Sequence, residues 1–133
     1  MSTTDNSLRG FEADLKKFAE TVDTDVKKVV KRVAFTVFRK LVKMTPVDTG
    51  RARAGWFMQV DKPGDDIPPE GKKSYPPPKM TIRGKLGDYP VIVIYNNVPY
   101  IQALNDGHSK RAPANFVELA LHETDQEIAA ELK

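Results

Sequence analysis

The sequence predicts an α+β domain on three observations: apolar residues at helical spacing over 22–44, a second helical pattern at the C-terminal end, and β-favouring runs between them. This gives a long N-terminal helix with a bend or break near 21–25, a small antiparallel sheet of three or four strands, and a C-terminal helix packed on that sheet. At 133 residues, one domain is expected over 1–133, with 1–6 flexible.

Ser7 can cap a first helical stretch over 7–20 carrying Leu8, Phe11, Leu15 and Phe18, and Asp23 and Thr24 offer fresh caps where the bend is expected. Val22, Val26, Val29, Val30, Val33, Val37, Leu41 and Met44 then recur at steps of three and four, one apolar stripe of a rod over 22–44. Thr45 stops the rod, because the residue before Pro46 avoids the helical region. Pro46, Asp48, Thr49 and Gly50 make a structural turn. The Asp48 side chain can bond backbone two residues on, and Gly50 is free to take positive φ.

"AGWFMQV", 54–60, reads as the strand leaving that turn, with Trp56 in the core. Residues 61–79 hold six of the ten prolines and almost nothing apolar, so they are expected to form one long loop, extended at "PPP". Residues 80–86 and 89–97 look like the two strands of a hairpin turning at Gly87–Asp88, the second buried on both faces because Val91–Ile94 is continuously apolar. "VPYIQALNDG" has the Pro-first, Gly-last order of a short helical turn, and Pro113 opens the last, acidic helix.

The net charge of +3 is small, but its arrangement is polar. Over 27–53, Lys27, Lys28, Lys31, Arg32, Arg39, Lys40, Lys43, Arg51 and Arg53 stand against Asp48 alone. Over 114–133, Glu118, Glu123, Asp125, Glu127 and Glu131 stand against Lys133. A basic end and an acidic end can order like subunits head to tail, steer nucleic acid, or pair within one chain. Arg51 and Arg53 share one side if their stretch is extended, available to an acidic partner.

Chemistry is sparse. Without cysteine there are no disulfides, thiolate metal sites or cysteine nucleophiles. His108 lies beside Asp106 and Ser109, but triad members converge from different elements, and a polar glycine-bearing loop accounts for the run. His122 lacks a second histidine at metal-ligand spacing, and the glycines form neither a phosphate loop nor a dinucleotide fingerprint. No enzyme and no cofactor is expected. The N-terminal stretch lacks a secretory apolar run and no segment approaches about 18 apolar residues, so a soluble intracellular product without membrane contact is expected. A basic nucleic-acid-binding module is the alternative reading, although base-stacking aromatics are missing from the cationic face.

Two stretches carry a family resemblance. The long helix ending in "TPVDTGRARAGW", followed by "NNVPYIQALNDGHSKRAPANFVELAL", resembles the tail-completion proteins of long-tailed bacteriophages, the minor tail or neck components that include lambda protein Z. In that family a P-x-D-T-G turn follows the first long helix, and a segment like Y-A-x-x-x-E-x-G precedes a proline that opens the last helix. Here these are Pro46, Asp48, Thr49 and Gly50, then Tyr100, Leu104, Gly107 and Pro113. Ile101 and Leu104 depart from the alanine and acidic residue expected there, and the loop at 61–79 is an addition.

The resemblance implies a non-catalytic virion protein of the neck, assembled in the host cytoplasm. It implies a six-fold ring between the tail tube or terminator and the head connector. Lys31, Arg39, Arg51, Arg53, Tyr75 and Tyr100 are the candidate interface residues, with DNA contact conceivable in the ring lumen.

Overall fold

The computed structural model describes residues 26–107 and 114–131. The flexible start at 1–6, the helix over 7–20, the break at 21–25, His108, Ser109 and the Pro113 helix start lie outside the described residues. The elements are α1 (Val26–Met44), α2 (Arg51–Ala54), β1 (Trp56–Val60), β2 (Ile82–Arg83), β3 (Ile92–Asn96), α3 (Ile101–Asn105) and α4 (Phe116–Glu131).

α1 is a rod of about 28 Å at 1.5 Å per residue. Its Val29, Val33 and Val37, with Val30, Phe38 and Leu41, are buried as the apolar spacing requires. Lys28, Lys31, Arg32, Arg39 and Lys43 are exposed. The rod ends at Met44 as the Thr45–Pro46 step predicts.

Residues 51–54 are a helical turn, where an extended chain was expected. Gly50 takes φ 94° and its carbonyl accepts the Ala54 amide at 2.9 Å, closing one turn of Arg-Ala-Arg-Ala, all good helix formers. Arg51 and Arg53 therefore do not share a strand side.

The sheet order is β2-β1-β3. β1 and β3 pair antiparallel from Trp56↔Asn96 to Val60↔Ile92. β1 and β2 pair parallel, at Met58↔Ile82 and Gln59↔Arg83. The sheet is thus mixed, and the expected hairpin of residues 80–86 with 89–97 does not form, because β1 lies between its two members. Parallel neighbours need a crossover of about a dozen residues or more. The proline-rich loop supplies it, which explains why so long a segment lies between β1 and β2.

α1 is the central element, touching β1 and β3 as well as α4. α4 makes its main contacts with α1, where packing on the sheet was expected. One cluster joins Val37 and Phe38 of α1, Met58, Ile94, and Phe116 and Ala120 of α4. Burying each large member contributes about 1.5–3 kcal/mol. Because α1 and α4 lie side by side, the basic and acidic segments are neighbours and not opposite ends. Lys40 Nζ reaches Glu127 Oε1 at 2.7 Å and Glu123 Oε1 at 3.4 Å. Its hydrogen bond to Glu127 is the main reason its pKa is raised, against some burial.

Candidate functional site

The P-x-D-T-G turn is a socket for the proline-rich loop. Thr49 O accepts the Tyr75 amide at 2.9 Å, so the loop lies against the turn backbone. A Cβ on Gly50 would stand 2.9 Å from the Tyr75 carbonyl oxygen. Gly50 is thus required twice, by its left-handed φ and by the close approach of the loop. The bond to backbone two residues on, expected of Asp48, is made by Thr49: its Oγ1 accepts the Arg51 amide at 3.3 Å, and Asp48 is exposed.

Both arginines of the turn hold the loop. Arg51 Nε donates to Pro68 O at 3.2 Å, with Glu70 4.0 Å from its Nη2. Arg53 Nη2 donates to Tyr75 O at 3.4 Å, while its buried Nε has no hydrogen-bond partner among the described residues. Tyr75 is itself buried; its hydroxyl donates to Pro69 O and accepts the Lys72 amide at 3.2 Å, closing the loop tip on itself.

A second fastening lies on the sheet face away from α1. Asp66 Oδ2 meets Arg83 Nη2 at 2.6 Å, and its Oδ1 accepts the Tyr95 hydroxyl at 2.8 Å. The Arg83 guanidinium foremost, then the Tyr95 hydroxyl, hold the Asp66 carboxyl below its usual range. Burial, then the Asp66 carboxylate, raise the Tyr95 phenol. Phe57 and Tyr95, cross-strand partners, stack with centroids 5.9 Å apart, and Arg83 lies 5.1 Å over the Phe57 ring. Asn97 Nδ2 adds bonds to Gly64 O and Asp66 O, each 2.9 Å.

The remaining predicted residues lie elsewhere. Lys31 and Arg39 are exposed on α1; Lys31 Nζ sits 5.7 Å from the Phe35 ring centroid. Arg39 borders an open groove between α1 and α4, lined also by Val29, Arg32, Val33, Thr36, Glu127 and Ile128. Tyr100 precedes α3, its side chain partly exposed while its carbonyl accepts the Leu104 amide at 3.1 Å. The structure therefore separates the six: Arg51, Arg53 and Tyr75 converge on the turn, whereas Lys31, Arg39 and Tyr100 face outward.

Sequence reasoning missed the asparagines. Asn96 Nδ2 donates to Ala52 O at 2.8 Å and its Oδ1 accepts the Val98 amide at 3.0 Å, tying α2 to the end of β3. Counting Y-A-x-x-x-E-x-G from Tyr100 puts the acidic position at Asn105, one past Leu104. Asn105 is buried, and its Oδ1 accepts the Val117 amide at 3.0 Å, capping α4, while its Nδ2 reaches Glu118 Oε2 at 3.1 Å. The motif count was the signal that could have found it.

Among the described residues no group of histidine, aspartate and glutamate side chains could hold a metal ion, and no helix is long and apolar enough to cross a membrane. The geometry at the turn holds a long loop against it.

A family model described as "Bacteriophage HK97-gp10, putative tail-component" matches residues 9–107. The match includes the P-x-D-T-G turn, the whole proline-rich loop and the segment through Gly107. No curated protein and no solved structure matches the chain.

Proposed function

We propose that this chain, which belongs to the HK97-gp10-like family of bacteriophage tail components, completes the tail and joins it to the head connector as a six-fold ring in the neck. Family membership makes it a tail component of the virion. The finer reading is supported by the exposed cationic surface of α1. Lys28, Lys31, Arg39 and Lys43 stand in solvent while the acidic neighbours on α4 are partly engaged by Lys40.

A ring needs a heterologous contact, one patch against a different patch of the next copy, with a rotation that closes. Lys31 and Arg39 meet acidic surface of another copy or of the connector. Arg51, Arg53 and Tyr75 act behind that surface by fixing the loop, and Tyr100 contributes an outward ring. The role is structural and not catalytic.

Electron microscopy of tails made with and without this protein tests the reading. Tails lacking it are expected to reach normal length, lose a ring of density at the head-proximal end and fail to join filled heads. Normal joining without it would overturn the proposal. Salt-dependent retention of duplex DNA by the purified protein would instead favour the nucleic-acid reading.

A further inference from the structure

Two exposed patches of complementary chemistry start at opposite ends of α1. At one end, Lys27 in the first turn of α1 holds Asp88 at 3.6 Å, yet the Asp88 side chain is 91% exposed. Its neighbour Tyr89 is 68% exposed, the most exposed large hydrophobic residue among those described. At the other end, beyond Met44, Tyr75 is bonded to Thr49, and the chain leaves it through Pro76, Pro77 and Lys79, all exposed, to Met80 at 44%. The proline run therefore starts near the end of α1 opposite Asp88 and leads toward Ile82, which pairs with Met58 at the middle of β1.

Consecutive prolines hold an extended polyproline shape without internal hydrogen bonds, and such segments bind aromatic faces at little ordering cost. Here Tyr75, gripped by the turn, fixes where the proline run starts. The run is thus presented ready-made, which lowers the entropy lost on binding. Lys79 at its end carries the charge opposite to Asp88. Asp88 meets Lys27 of its own chain at 3.6 Å yet stays largely exposed, so its outer side is open to a further cation.

From this we infer that Pro76, Pro77 and Lys79 of one copy dock on Tyr89 and Asp88 of the next. The proline rings lie on the tyrosine face and the ammonium pairs with the carboxylate. The inference rests on the ring reading above and names one of its heterologous contacts. One patch of each kind per copy is what a heterologous, head-to-tail contact requires.

The absence of native cysteine makes a cross-linking test clean. Tails assembled with P77C and Y89C in the same chain, then oxidised, are expected to yield a ladder of disulfide-linked copies, whereas either single variant yields none. K79E is expected to weaken assembly on the order of tenfold, and adding D88K to restore it. A ring visible by electron microscopy without the ladder, or a cross-link from position 77 to a different tail protein, overturns this contact and leaves the proposed function standing. Tails with no ring of this protein overturn both.

Discussion

The indole nitrogen of Trp56 donates a 2.8 Å hydrogen bond to the Thr45 hydroxyl, which in turn donates to the Leu41 carbonyl at 2.5 Å. Both residues are 3% exposed. The hydroxyl that ends α1 is thereby the partner of the side chain that begins β1, so the helix terminus and the sheet are set by one relay. Thr45→Val removes the acceptor and leaves a buried N–H unpaired, at a cost of about 1–3 kcal/mol. Thr45→Ser keeps the relay and is expected to lose less than half as much. Urea unfolding followed by tryptophan fluorescence reads both.

Gly50→Ala forces a Cβ into a left-handed residue and against the Tyr75 carbonyl. About 2 kcal/mol or more of destabilisation is expected. Since the clash falls on the loop backbone, cleavage by a protease should rise first within residues 70–79. Unchanged cleavage there would show that the loop is not seated on the turn.

The Asp66 fastening is pH-sensitive with a definite sign. Its folded pKa is lowered from 3.8, so below that value the unfolded chain binds more protons than the folded one. Stability is present in full above about pH 5 and is lost as pH falls through the folded pKa. The raised Tyr95 pKa acts at the other limit: its contribution is complete below the usual value of 10.0 and is lost as pH rises through the folded pKa. Melting temperatures of the native chain and Asp66→Asn, compared from pH 6 to pH 2, should converge as the acid limit is reached.

Asn105→Ala removes the cap of α4 and is expected to cost about 0.5–2 kcal/mol. Asn105→Asp keeps an acceptor for the Val117 amide but sets a carboxylate beside Glu118, so it should recover stability only when Glu118→Gln is added. Circular dichroism during thermal unfolding separates the three variants.

Charge reversal at Lys31 and Arg39 together is expected to leave the melting temperature within a few degrees, because both are exposed, and to weaken assembly by tenfold or more. Sedimentation of assembled tails against free protein measures it. Assembly at the native level would remove the α1 surface from the proposed contact.

α1 was legible because a three-and-four spacing states its own buried face, and its stop followed from the Thr45–Pro46 step. The turn at Gly50 was legible for the same local reason. The partners of the turn were not, since nothing in "GRARAG" says that Pro68 and Tyr75 return to it. Arg51 and Arg53 look like free charges in sequence and are clamps in space. Asn105 was hidden by a polar identity that suits a loop as well as a buried cap.

The sequence by itself determined α1, its stop at the Thr45–Pro46 step and the turn at Gly50, because each is fixed by sterics and spacing within a few residues. Only the tertiary structure decided that β1 lies between β2 and β3, that β2 runs parallel to it, and that α4 packs along α1. Those choices depend on which distant surfaces bury one another and on where a long loop can cross, and such pairings leave no periodic trace in the chain.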